Sequence, residues 1–253
     1  MGNIEALLLD LDGTVYNGNL AVPGAAAFLR RLRQEGLPFL YVTNRASRSA
    51  EAICDQLRGY GLECDPSEVL TSALASARHM AGGRVYMIGE EGLREALLEF
   101  DCELTEEGAE WVVVGLDRQV TYAKLDIASR LVRAGARFVS TNPDAVLSTE
   151  HGLAVGNGAI VAAVAMASGA EPEVIGKPSP RMFEIALDQL GLPADKVLMV
   201  GDNPETDIAG GLAAGVRTAF LLTGVASRQD AQRLGIEAHH TCLDYEELAS
   251  VVF

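Results

Sequence analysis

Four short clusters carry the residues that could do chemistry: Asp10-Leu11-Asp12-Gly13-Thr14, Thr43-Asn44-Arg45, Gly176-Lys177-Pro178, and Gly201-Asp202-Asn203 with Thr206 and Asp207 close behind. Asp10 and Asp12 stand two residues apart after an apolar run, so they share a side if strand geometry continues. Their repulsion raises at least one pKa unless a cation lies between them. Such a pair divides a group transfer: one carboxylate attacks the electrophile and the other carries the leaving group's proton. Gly13 lets the backbone turn tightly and bring its amides near a ligand. Asp202 adds a third carboxylate if its strand neighbours the first. Oxygen donors without His or Cys suit Mg2+, which binds one or two carboxylates together with phosphate. Lys177 can neutralise phosphate charge and hold the nucleophile. Thr43 and Asn44 can donate hydrogen bonds to phosphate oxygens.

Each cluster alone has a plainer explanation. An Asp-x-Asp can cap a turn, Thr-Asn can cap a helix, an isolated lysine is usually solvated, and Asp207 can simply complement a helix N-terminus.

The elements that must position these residues alternate. The run over 6–9 reads as a strand buried on both faces and ends at Asp10. A helix follows over 23–35, with Pro23 in its first turn and Gly36 as its stop, then a strand over 38–43 and a helix over 48–59. Toward the other end the spacing predicts a helix over 180–190, a strand over 196–200, a helix over 205–214 and a strand over 217–222. This is the pattern of a doubly wound α/β sheet, whose ligands bind beyond the carboxyl ends of the strands, where the clusters fall. The middle repeats the alternation, with strands over 84–88, 111–115 and 137–141 and helices near 91–100 and 121–134. Periodicity leaves open whether this block extends one sheet or forms a second α/β domain.

The chain has 253 residues, 49% hydrophobic and 22% charged, with a formal net charge of −15. That charge repels a phosphate backbone at long range, which argues against nucleic acid as a partner. It would also repel anionic substrates unless a metal or local cations reversed the field in a cleft. No apolar run approaches a membrane span, the N-terminus lacks a basic leader region, and Gly2 is not followed by a full myristoylation pattern, so no membrane partner is expected. Cys54, Cys64, Cys102 and Cys242 show no CxxC spacing and read as reduced thiols of a cytoplasmic protein. His79, His151, His239 and His240 fit no ligand spacing. Trp111 opens an apolar strand, and the acidic stretch over 103–110 reads as a solvated loop.

Together DLDGT at 10–14, YVTN at 41–44, GKPSP at 176–180 and GDNPETDIAGG at 201–211 resemble the four ordered motifs of the haloacid dehalogenase superfamily. STNPD at 140–144 and GKPSPRMFEIAL at 176–187 resemble its type IIA, NagD-like branch, which includes 4-nitrophenylphosphatases. The resemblance spans the chain. It implies a Rossmann-like catalytic core from 1–79 and 173–253 and an inserted α/β cap from 80–172.

For the site it implies Asp10 as the nucleophile that forms an aspartyl-phosphate and Asp12 as general acid, then base. Mg2+ would be held by Asp10, the Asp12 backbone carbonyl and Asp202. Thr43, Asn44 and Lys177 would bind phosphate, with Asn203 and Asp207 supporting. An acid at position 12 suits a phosphatase, since dehalogenases of this fold lack it. Caps of the branch often contribute to dimers, which leaves a homodimer open.

The expected activity is Mg2+-dependent hydrolysis of a small phosphorylated metabolite. Sugar phosphates, phosphoglycolate, glycerol phosphate, pyridoxal phosphate and nucleotide monophosphates all remain candidates. A phosphotransferase or mutase using the same intermediate, or a metabolite-binding protein, are the alternatives. Asn142 and Asp144, just after a cap strand, are expected to contact the organic half of the substrate. Arg45 and Asn157 depart from the branch's usual residues, and each has a substrate-facing and a structural explanation.

Overall fold

A computed structural model describes residues 4–149, 152–224 and 226–253. Gly2 and His151 lie outside the described residues. The chain runs through β1 (Ala6–Leu9), a hairpin of β2 (Tyr16–Asn17) and β3 (Leu20–Ala21), α1 (Ala25–Gln34), β4 (Phe39–Thr43), α2 (Ala50–Gly59) and β5 (Val69–Thr71). It continues with α3 (Ser72–Met80), β6 (Gly83–Ile88), α4 (Glu91–Glu99), β7 (Cys102–Leu104), β8 (Trp111–Val114), α5 (Tyr122–Arg133) and β9 (Arg137–Ser140). A hairpin of β10 (Val146–Thr149) and β11 (Gly152–Val155), then α6 (Asn157–Ser168) and β12 (Glu173–Val174), complete this middle stretch. The last part holds α7 (Pro180–Leu190), β13 (Val197–Gly201), α8 (Ala209–Ala213), β14 (Arg217–Leu221), α9 (Arg228–Leu234), β15 (His240–Cys242) and α10 (Tyr245–Val252).

Local chemistry accounts for the element ends. In α1, Phe28, Leu29 and Leu32 form the buried stripe, and Gly36 follows at φ 66, a left-handed turn that costs glycine little. Ser179 caps α7 by accepting from the Arg181 N–H, Pro180 fills the first turn, and Gly191 ends it in the left-handed region. The helix expected over 205–214 is two pieces. A wide turn over Pro204–Ile208, capped by the Asn203 side chain, precedes the short α8.

The chain divides into two compact units. The first comprises Met1–Thr43, Glu51–Leu70 and Lys177–Phe253; the second comprises Asn44–Ala50 and Thr71–Gly176. The middle of the chain therefore forms its own sheet, and residues 44–50 and 71–79 group with it.

In the first unit six parallel strands stand in the order β15-β14-β13-β1-β4-β5. Numbered along the chain within the sheet, this is 3-2-1-4-5-6 from the β5 edge, the doubly wound order whose switch point lies between β1 and β13. All four residues of β1 and all five of β13 are buried, as continuous apolar runs require in a sheet covered on both faces.

In the second unit five parallel strands stand in the order β12-β9-β8-β6-β7. This is 2-1-3-4-5 from the β7 edge, with its switch point between β6 and β8. Val112, Val114, Phe138, Ile160 and Val164 belong to its core.

The cysteine reading is corrected. Cys54 and Cys64 form a disulfide, with Cα atoms 5.1 Å apart. Cys54 is on the buried face of α2, and the chain reverses at Gly61 (φ 76) just beyond that helix. The reversal returns Cys64 to the helix, a proximity that a separation of 10 residues does not advertise. Cys102 and Cys242 are free and buried, as expected of reduced thiols. Among the described residues no helix is long and apolar enough to cross a membrane.

Candidate active site

The first unit's switch point is where the carboxylates gather. β1 pairs with β13 in parallel register, Leu9 opposite Val200. The Asp10 N–H donates to the Val200 carbonyl at 2.9 Å, so Asp10 and Asp202 emerge at the same level from adjacent strands. Asp207 reaches the same place from the turn after β13. One carboxylate oxygen from each of Asp10, Asp202 and Asp207 lies within 4.8 Å of the others, and all three residues are buried.

Lys177 ties this cluster together. Its Nζ donates to Asp10 Oδ1 at 2.6 Å and to Asp207 Oδ1 at 2.7 Å, and the residue is only 2% exposed. Burial pushes the Asp10 carboxyl well above its ordinary value; Lys177 opposes that, while Asp207 and Asp202 add to it. For Lys177 burial favours the neutral amine, but Asp10 and Asp207 outweigh it and hold the ammonium charged.

Glycines let the backbone approach Asp202 closely. Gly13 has φ +90, and a Cβ there would overlap the Asp202 carboxylate. A Cβ on Gly224 would come closer still to Asp202, and one on Gly201 would overlap the Asp207 carboxylate. Thr14 Oγ1 lies 3.5 Å from Asp202 Oδ1, and Thr223 Oγ1 donates to the Gly13 carbonyl at 2.7 Å. Asn203 shapes the turn that delivers Asp207. Its Oδ1 accepts from the Glu205 N–H at 2.9 Å, and its own N–H donates to Asp207 Oδ2 at 3.1 Å.

Thr43 ends β4 beside β1 and is buried. Asp12 is placed differently from its partner: its side chain is exposed, and Oδ2 accepts from the Tyr16 hydroxyl at 3.0 Å. Tyr16 went unremarked in the sequence, since nothing in a tyrosine four residues on announces a bond to Asp12.

The remaining residues meet in the second unit. Asn44 Nδ2 donates to Asp144 Oδ2 at 3.2 Å, and the Asn44 carbonyl accepts from Asn142 Nδ2 at 2.8 Å and from Ser72 Oγ at 2.7 Å. Asn157 is buried at the start of α6, and its Nδ2 donates to the Asn142 carbonyl at 2.7 Å. Arg45 is half-buried. His79 packs against Trp111, with Nε2 3.2 Å from a Glu173 carboxylate oxygen. In the first unit, His239 accepts the Thr218 N–H at Nδ1.

A cluster of buried carboxylates around one lysine at the switch point of a doubly wound sheet defines a phosphoryl-handling α/β hydrolase site. The comparisons agree. Residues 7–103 match the family model for haloacid dehalogenase-like hydrolases, and residues 174–248 match a HAD-hydrolase-like model. The chain is 42% identical over 252 residues to the acid sugar phosphatase of Staphylococcus aureus (strain USA300), covering 98% of this chain and 97% of that protein. It superposes on the p-nitrophenyl phosphatase from Archaeoglobus fulgidus with a TM-score of 0.93 at 32% identity, covering 99% of this chain and 100% of the other. NagD from E. coli K-12 gives a TM-score of 0.91 at 31% identity over 97% and 98% of the two chains. The chain belongs to the haloacid dehalogenase-like hydrolase family and stands among its NagD-like phosphatases, enzymes of phosphoric monoester hydrolysis.

Proposed function

We propose that this protein is a Mg2+-dependent phosphatase acting on a small phosphorylated metabolite through an aspartyl-phosphate, with sugar phosphates as the first class to test. The acid sugar phosphatase relative supports that choice. The observation that carries the chemistry is the meeting of Asp10, Asp202 and Asp207 around Lys177. Three buried carboxylates against this ammonium leave negative charge that a hard cation would balance, and the all-oxygen donor set fits Mg2+. Asp10, Asp202 and the Asp12 carbonyl would hold the ion, with Asp207 and Asn203 orienting them. When bound it would supply charge neutralisation of the phosphoryl group.

In the reaction an Asp10 oxygen forms the bond to phosphorus as the bond to the leaving oxygen breaks, and Asp12 gives that oxygen its proton. Asp12 then takes a proton from the water that attacks phosphorus, and the bond to Asp10 breaks. Lys177, Thr43 and Asn44 hold the non-bridging oxygens. The second unit corresponds to the cap expected over 80–172, with residues 44–50, 71–79 and 173–176 grouped into it, and the engagement of Asn142 and Asp144 with Asn44 supports a bracing role for that loop. The decisive experiment is a screen of phosphorylated metabolites and 4-nitrophenyl phosphate with Mg2+ and with excess chelator. Hydrolysis that needs the ion is expected; full activity in chelator would refute the reading.

A further inference from the structure

Three side chains of the second unit converge on Asn44. Its carbonyl accepts from Ser72 Oγ at 2.7 Å and from Asn142 Nδ2 at 2.8 Å, and its own Nδ2 donates to Asp144 Oδ2 at 3.2 Å. Two donors on one carbonyl use both of its lone pairs. The donors come from different elements: Ser72 opens α3, and Asn142 lies just beyond β9.

Each donor is itself held. Thr71 caps α3 by accepting the Leu74 N–H at 3.0 Å, which fixes the turn that carries Ser72. The Asn142 carbonyl accepts from Ser140 Oγ at 2.8 Å and from Asn157 Nδ2 at 2.7 Å, and Asn142 Oδ1 accepts the Asp144 N–H at 3.1 Å. Behind the loop the Gly158 N–H donates to the Asp144 carbonyl at 2.8 Å, and a Cβ at Gly156 would overlap that carbonyl. Asn142 is 5% exposed and Ser72 0%. Side chains so enclosed have little surface for the organic half of a substrate. What they hold is Asn44, and a buried polar network satisfied in this way is rigid.

We infer that Ser72 and Asn142 are positioning residues for phosphate binding: they clamp the Asn44 carbonyl from two elements and so set the conformation in which Asn44 meets the phosphate. The inference rests on the reading of Asn44 as a phosphate-binding residue. It goes beyond that reading in giving Ser72 a part in the reaction and in moving Asn142 from the leaving group to the phosphate. The phosphate is common to every ester and the leaving group is not. A residue that acts on the phosphate therefore costs all substrates alike and weakens inorganic phosphate as an inhibitor.

The test is kcat/KM of the wild type, Ser72→Ala and Asn142→Ala on glycerol phosphate, glucose 6-phosphate and 4-nitrophenyl phosphate with saturating Mg2+, together with the inhibition constant of inorganic phosphate. Melting curves show which variants fold. Should Asn142→Ala not fold, Asn142→Asp takes its place, keeping the size and removing the donor. Each variant is expected to lose ~10-fold in kcat/KM, the scale of one buried hydrogen bond and a small misplacement. The loss should agree within ~3-fold across the three esters, and the inhibition constant should rise with it. A loss that differs more than ~3-fold between esters would overturn the inference and return Asn142 to leaving-group recognition. So would a lowered Tm with kinetics and phosphate inhibition within ~3-fold of the wild type, the signature of a purely structural role. A wild type inert toward all three esters would overturn the phosphatase reading and this role with it, whereas an active wild type with indifferent variants overturns this role alone.

Discussion

The two sheets of this molecule are both doubly wound, and each has a switch point, but the charged groups that gather at the two differ. In the first unit the loops after β1 and β13 bring Asp10, Asp202 and Asp207 to one place, with Lys177 bonded to two of them. In the second unit the loops after β6 and β8 satisfy each other. Arg118 Nη1 pairs with Glu90 Oε2 at 2.7 Å, and Lys124 Nζ pairs with Asp117 Oδ2 at 2.6 Å. The backbone there is spoken for too: the Gly92 N–H, in the first turn of α4, points at the Ser47 carbonyl at 3.4 Å. A helix N-terminus is an anion site when its donors are open, and here a loop of the same chain lies across it. Topology thus offers two crevices, and charge balance separates them: one to one in the second unit, three carboxylates around one ammonium in the first.

The strongest test of that contrast replaces one acid in each crevice. Asp10→Asn should lower turnover on 4-nitrophenyl phosphate by ~10⁴-fold or more, the scale of losing a nucleophile. Asp117→Asn should leave turnover per folded molecule within about threefold. Comparable losses would erase the distinction.

The glycines give a second comparison. Gly13→Ala would push a methyl group into the Asp202 carboxylate at a backbone angle of φ +90, so activity should fall by ~10²-fold with the protein still folded. Gly92→Ala would meet the Arg48 backbone instead. It should lower stability by about 1–3 kcal/mol in denaturant melts, with little change in turnover.

Third, an ion that completes the first crevice should stabilise the fold. At about 100 times its dissociation constant, Mg2+ should raise Tm by about 5 °C or more. Asp202→Asn should abolish that shift, and Asp117→Asn should keep it. The smallest expected effect is Arg118→Ala, which deletes an exposed ion pair and should cost under about 1 kcal/mol, read as a slight drop in Tm.

Much of this was legible in the sequence, and the reason is local. The run Ala6–Leu9 is buried at every position because a sheet covered on both faces admits nothing else, and Asp10, Thr43, Lys177 and Asp202 follow such runs or punctuate turns in recognisable words. What sequence could not show depends on through-space partners. Asp207 read as a helix-starting acid with a supporting role; the turn after β13 carries it onto Lys177, 30 positions away in the chain. Tyr16 drew no reading at all, and only the fold shows its buried ring sending a hydroxyl to Asp12. Asn142 and Asp144 follow a strand, where loops commonly meet ligands, and their side chains turn to Asn44, about a hundred residues earlier. The Cys54–Cys64 bond escaped notice because a reversal at Gly61, not a motif, creates it. Periodicity alone left the division of the middle stretch open, since two sheets of one architecture share one periodicity; only the family motifs implied it.

The loop over 44–50 has a consequence for anyone exchanging parts between relatives. It belongs by its contacts to the second unit, although 20 residues of the first unit, Glu51–Leu70, separate it from the rest of that unit in the chain. A graft of residues 71–176 alone would separate Ser72, Asn142 and Asp144 from the Asn44 they hold, and α4 from the Ser47 carbonyl over its N-terminus. Polar groups deprived of such partners cost about 1–3 kcal/mol each when they stay buried. The heritable module is therefore two segments, and a chimera that respects the continuous insertion but not the short loop would inherit the second unit without its own latch.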